Sequence, residues 1–200
     1  MRVKNLLKSI AARLRPAMIL FLSIFFDRKY LKGRHFEVGY NGYFWALRSI
    51  WIKNILRLSK PHPWPTGLHC TLSSPENIDF HCDDLNNFQS PGTYFQNFKG
   101  TIVIGRGSYI GPNVGLITSN HSIEDLDRHE EGRNIVIGPQ SWIGMNVVLL
   151  PGVVLGPKTV VAAGSVVTKS FPEGNAIIGG VPAKFLKKIA TNRDFQAPDF

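Results

Sequence analysis

From Ile104 to Pro172 an aliphatic residue opens a six-residue unit again and again, and the phase is lost once, directly after His121. The openers are Ile104, Ile110 and Leu116 before the break, then Ile137, Ile143, Leu149, Leu155, Val161 and Val167 after it. Glycine often follows the opener, as at Gly105, Gly111, Gly138, Gly144 and Gly156. The fifth position is small or β-branched (Ser108, Val114, Ser141, Val147, Val153, Thr159, Ser165), with Asn120 the exception. A period of six fits neither a helix nor a lone alternating strand, so it predicts a repeat architecture. Three units make one turn of a triangular prism, with a short strand on each face and a tight turn at each corner. The openers point inward, and coils stacked about 4.8 Å apart align them in aliphatic ladders. Glycine suits the corners through positive φ or close backbone approach. Residues 104–121 form one coil and 137–172 two more.

The flanks are less regular. Leu68 to Phe98 is expected to hold the first, distorted coils, with Asp83 to Gly92 a polar loop or corner. Pro182 to Ile189 is predicted as a short C-terminal helix covering the prism end, Pro lying near its first position. Upstream, Val3, Leu7, Ile10 and Leu14 follow helical spacing until Pro16, which should stop the pattern. Ala17 to Phe26 is strongly apolar, but only about half the ~20 residues that span a bilayer. Phe44 to Leu58 is a second apolar-rich helical stretch, and Lys60 to Pro65 a stiff linker. The expected division is a basic helical extension (1–60), the repeat domain (61–190) and a tail (191–200).

Charge sharpens this division. Residues 1–60 carry 13 Lys/Arg against Asp27 and Glu37, whereas the rest of the chain is slightly acidic. Basic residues beside Trp45 and Trp51 suggest a segment lying on an anionic membrane surface. The competing expectation is that these helices pack on the prism or on a neighbouring subunit. The apolar run lacks a small-residue cleavage site, which disfavours a secretory signal. Nucleic-acid binding needs more than a basic segment, and no recognised motif for it occurs. Cys70 and Cys82 form no spaced metal motif, so a reducing, cytoplasmic setting, with the inner membrane face as an option, is the default.

The break carries the candidate chemistry. Fifteen residues, 122–136, separate His121 from the next regular unit. Fifteen is not a multiple of six, so a loop must leave the prism, and its charged composition keeps it in water. His121 should therefore stand at the loop base, facing a cleft. An imidazole there can exchange a proton at neutral pH. About 36 residues upstream, two coils of this kind, lie Asp83 and Asp84, either of which could orient the ring; a backbone carbonyl would serve equally. Asn86 and Asn87 are candidates for acceptor hydroxyls.

Ser119-Asn120-His121 before the loop, Trp142-Ile143-Gly144 after it, Ala163-Gly164-Ser165-Val166-Val167-Thr168-Lys169 and Gly179-Gly180-Val181-Pro182-Ala183-Lys184 together resemble the hexapeptide-repeat sugar and xenobiotic O-acetyltransferases. The resemblance spans roughly residues 76–190. It implies a left-handed parallel β-helix, a hand the period alone does not give. It further implies acetyl transfer from acetyl-CoA to a hydroxyl, His121 as general base, and a backbone oxyanion donor at Gly144 or Met145. Trp142, Gly144, Met145, Ala163 and Thr168 would line the CoA groove, with Lys169 and Lys187 meeting its phosphates. The family's small residue is replaced here by Met145. Homotrimers with sites between neighbouring prisms are expected on the same ground, as is a saccharide acceptor, a surface-polysaccharide precursor being one candidate, with a small alcohol or antibiotic as the alternative.

Two other readings compete. A γ-type carbonic anhydrase shares the prism and would need His81, His121 and His129 to converge on zinc, although no metal is expected. A non-enzymatic binding scaffold would show no CoA affinity.

Overall fold

The computed structural model describes residues 13–189. Fourteen short strands, β1 (Thr71–Leu72), β2 (Ile78–Phe80), β3 (Tyr94–Gln96), β4 (Ile102–Ile104), β5 (Tyr109–Ile110), β6 (Gly115–Ile117), β7 (Ile135–Ile137), β8 (Trp142–Ile143), β9 (Val148–Leu149), β10 (Val154–Leu155), β11 (Val160–Val161), β12 (Val166–Val167), β13 (Ala176–Gly180) and β14 (Ala183–Lys188), build three sheets. The first face stacks β1-β3-β6-β9-β12, the second β2-β4-β7-β10, and the third β5-β8-β11-β13-β14. Every pairing is parallel except β13 with β14. The chain visits the faces in rotation, which is a parallel β-helix.

Register confirms the coil length. Val136 lies against Val154 and Trp142 against Val160, eighteen positions on. Ile104 pairs with Ile137, thirty-three on, so the fifteen-residue loop is excluded without disturbing the phase. All nine openers are at most 4% exposed. The fifth positions other than Asn120 are also buried, and hydroxyls among them bond between coils: Ser141 N donates to Ser108 Oγ and Thr159 N to Ser141 Oγ, each at 3.1 Å.

The second-position glycines are explained by close approach alone. A Cβ on Gly138 would lie 2.6 Å from Pro157 N of the next coil. Positive φ falls instead on the fourth position, at Asn113, Gln140, Asn146 and Lys158 (φ 54–60°). These side chains accept a left-handed backbone where glycine would be free to adopt it.

Three expectations are corrected. Ala183–Lys188 is no helix but strand β14, hairpinned onto β13; β13 is the last strand of its face and its free edge is satisfied by a further strand. Lys60 to Pro65, expected as a stiff linker, is instead packed into the fold, because His62 and Trp64 are buried, Trp64 packing on Tyr30, Phe80 and Phe88. Pro16 does not end the first helix, α1, which runs over residues 13–22. Helix α2 (Asn41–Ser49) continues as a wide π-helical turn, Ile50–Ile55. Leu22, Phe26, Phe36, Ala46 and Ile50 join the same buried core as the coil openers, so the extension packs on the prism. Val3, Leu7 and Ile10 lie outside the described residues, as does the tail 191–200.

Candidate active site

The edge between the first and second faces holds His121. The loop after it folds back as a hairpin: His121 bridges His129 in antiparallel fashion, Ser122 N donates to Arg128 O and Glu130 N to Asn120 O. Nδ1 of His121 lies 2.7 Å from Leu126 O. A carbonyl can only accept, so Nδ1 carries the hydrogen and the neutral ring leaves its Nε2 lone pair free. The backbone carbonyl, not a carboxylate, orients the ring. His121 is exposed on the single chain, not enclosed in a cleft.

Residues not singled out in the sequence hold this corner. One coil below, Gln96 Oε1 accepts from Thr118 N (2.9 Å) and Ser119 N (3.1 Å), while its Nε2 donates to Ser119 O (2.8 Å). Lys99 Nζ donates to the His129 and Glu130 carbonyls, and Phe98 meets the His129 ring edge-on. The His121 and His129 rings are 4.2 Å apart. Partial burial, then the nearby His121 and Lys99, push the His129 imidazole below its usual range. Only the stacking register would have exposed this set, since it spans coils.

Asp83, Asp84, Asn86 and Asn87 are not near His121; they are structural. They lie in a 3-10 segment, Cys82–Phe88, standing where the third face lacks a strand. Asn87 completes the exposed edge of β5, its Nδ2 donating to Ser108 O and its Oδ1 accepting from Ile110 N, both at 2.9 Å. Asp83 accepts from Arg34 N (2.7 Å) and Arg106 Nη2 (2.9 Å). Burial works against that charge, but these two donors outweigh it and hold the carboxyl below its usual range. Asp84 is buried, which pushes its carboxyl up although Gly107 N donates to it. Asn86 accepts from Arg34 Nη2 at 2.9 Å. The four residues anchor the extension and the adjoining coil to this segment.

The CoA candidates divide between two edges. Trp142, 58% exposed, lies on the third face, in register with Tyr109 and Val160. Gly144, Met145 and Ala163 stack on the edge between the third and first faces. There Gly144 N is used, donating to Val161 O at 2.9 Å, whereas Met145 N has no partner among the described residues. Met145 is therefore the free backbone donor of the pair. Lys187 is exposed on β14, opposite Ile177. Thr168 and Lys169 are exposed on the other edge, that of His121, two coils further along. One chain thus does not assemble His121 with Met145.

His81, His121 and His129 do not converge either. The one grouping of ligand-type side chains among the described residues is His81, Cys82 and Asp83, away from the loop hairpin.

The family description "Bacterial transferase hexapeptide (six repeats)" matches residues 134–169. The Saccharomyces cerevisiae (strain ATCC 204508 / S288c) protein "Putative acetyltransferase YJL218W" is 37% identical over 62% of this chain and 67% of its own length. The galactoside O-acetyltransferase of Escherichia coli (strain K12) is 36% identical over 52% of this chain and 55% of its own. The same organism's "Putative lipopolysaccharide biosynthesis O-acetyl transferase WbbJ" is 40% identical over 44% and 50%. The chain thus spans about half to two thirds of the length of these curated relatives. With its coil phase, its excluded loop and this relationship in agreement, the chain belongs to the hexapeptide-repeat acetyltransferase family of left-handed β-helix proteins.

Proposed function

We propose that the protein transfers the acetyl group of acetyl-CoA to a hydroxyl of a saccharide, at sites shared between adjacent copies in a homotrimer. The observation that carries this reading is the hydrogen bond from His121 Nδ1 to Leu126 O, which aims a bare Nε2 outward from the loop hairpin. The hydroxyl oxygen attacks the thioester carbonyl carbon while Nε2 takes its proton. The oxyanion of the tetrahedral intermediate accepts a hydrogen bond from Met145 N–H of the adjoining copy. The C–S bond then breaks and the imidazolium returns the proton to the leaving thiolate.

The two edges supply the two walls. One copy brings His121, Thr168 and Lys169, and its neighbour brings Trp142, Met145 and Ala163. Closed cyclic symmetry lets such unlike surfaces meet around a threefold axis. A saccharide acceptor is favoured because relatives are named for galactoside and lipopolysaccharide O-acetylation, and a surface-polysaccharide precursor is the acceptor we favour. Thiol release from acetyl-CoA with a panel of oligosaccharides and small alcohols, followed by mass spectrometry, should show a product heavier by one acetyl group. A panel in which only small alcohols are modified would remove the saccharide assignment, and absence of CoA binding would remove the enzyme.

A further inference from the structure

Helix α2 and its π-helical continuation are packed inside out. The face turned to the protein carries Gly42, Ala46, Ser49, Ile50 and Lys53, all buried. The face turned to solvent carries Phe44, Leu47, Trp51 and Ile55, and Leu58 follows just past the helical end; each is between 45% and 64% exposed. The four helical residues recur at intervals of three and four and Leu58 prolongs them, an apolar stripe left exposed among the described residues. Scattered exposed apolar residues are ordinary, but an aligned stripe marks an interaction surface.

Beside the stripe lies a cavity of about 470 Å³ lined by Lys53, Asn54, Arg57, Ser59, Lys60 and Pro61. Three of the lining residues are basic and none is acidic, and residues 38–75 contain no Asp or Glu at all. Lys53 is 1% exposed, its Nζ near only neutral acceptors, the Lys60 carbonyl (3.4 Å) and His62 Nδ1 (3.2 Å). Burial pushes its ammonium down from the usual lysine range. Ser59 Oγ is buried without a hydrogen-bond partner. Neither Arg57 nor Lys60 forms an ion pair among the described residues.

We infer that this cavity takes the phosphate of an anionic membrane lipid while the stripe of Phe44, Leu47, Trp51, Ile55 and Leu58 enters the interfacial layer, holding the enzyme on the bilayer. A cationic pocket joined to an apolar stripe matches a phospholipid, charged at the head and apolar beyond it. A protein partner would need acidic groups and apolar area in the same arrangement, and a soluble phosphate ester would leave the stripe uncovered. No described helix is long and apolar enough to cross a membrane.

Sedimentation of the full chain with vesicles tests this. The protein should pellet with phosphatidylglycerol-containing vesicles and far less with pure phosphatidylcholine. Removing two cations in Arg57→Gln/Lys60→Gln should weaken binding roughly thirtyfold. Trp51→Gln/Leu58→Gln should release the protein although its charge is unchanged. Wild-type-like binding by either variant, equal binding to neutral vesicles, or release by glycerol phosphate at unchanged ionic strength would overturn the proposal; the last outcome would identify a soluble ester. A stripe variant that changes oligomer size while still binding vesicles would also sink it, exposing a protein interface. Acetyl transfer to a soluble saccharide, measured in parallel, should be equal in all three proteins, so membrane binding and catalysis can fail separately.

Discussion

In the proposed reaction His121 works through Nε2, because its Nδ1 is committed to Leu126 O. His121→Ala should therefore lower kcat by roughly 10²- to 10⁴-fold with a smaller change in the KM for acetyl-CoA, measured by thiol release. His62 is a histidine of another kind. It is 6% exposed, and burial first, then Lys53, lowers its pKa to about 4. An imidazole whose folded pKa lies below its unfolded value resists protonation only while folded. Its contribution is complete above about pH 6.5 and is lost as pH falls toward 4. The loss should be on the order of 2 kcal/mol, allowing for remaining solvent contact. Urea unfolding between these limits should show a shallower acid decline in His62→Gln than in the wild type.

The repeating element is a coil whose corners leave no room. Gly138→Val would force a side chain into the Pro157 backbone, with overpacking costing roughly 1–3 kcal/mol. Its thermal midpoint should drop by several degrees, while Lys158→Gly, at a left-handed position of the same stack, should not lose stability. A Gly138→Val midpoint equal to wild type would mean that the coils separate more readily than their stacking implies. The Cys82–Phe88 segment shows the complementary device, in which the Asn87 amide does the work of an absent strand.

At the scale of the whole molecule, His121 and Met145 stand on different edges of one prism, so the proposed site requires two copies. Mixing protomers of His121→Ala with protomers of Met145→Pro, which lacks the backbone donor, should restore activity. Random trimers would recover about a quarter of the wild-type rate, because one site in four unites both intact walls. Activity that stays at the level of the separate variants would place both walls in one chain. Size-exclusion chromatography with light scattering should show three copies.

The six-residue period determined the prism, its inward openers and its one excluded loop, because stacking repeats a local pattern that every coil must obey. It also isolated His121, since a loop can leave a column only where the phase breaks. It could not reveal that Gln96, Phe98 and Lys99 brace that histidine's loop, or that Asp83 and Asp84 serve Arg34, Arg106 and Gly107 instead. Those partners meet only when distorted coils, whose register departs from eighteen, are stacked. Likewise the terminal segment read as a helix from its local signals, but the free edge of β13 drew it into a strand. Tertiary structure decided these points because hydrogen-bond satisfaction at an edge, and contact between coils, depend on what lies beside a residue in space rather than next to it in the chain.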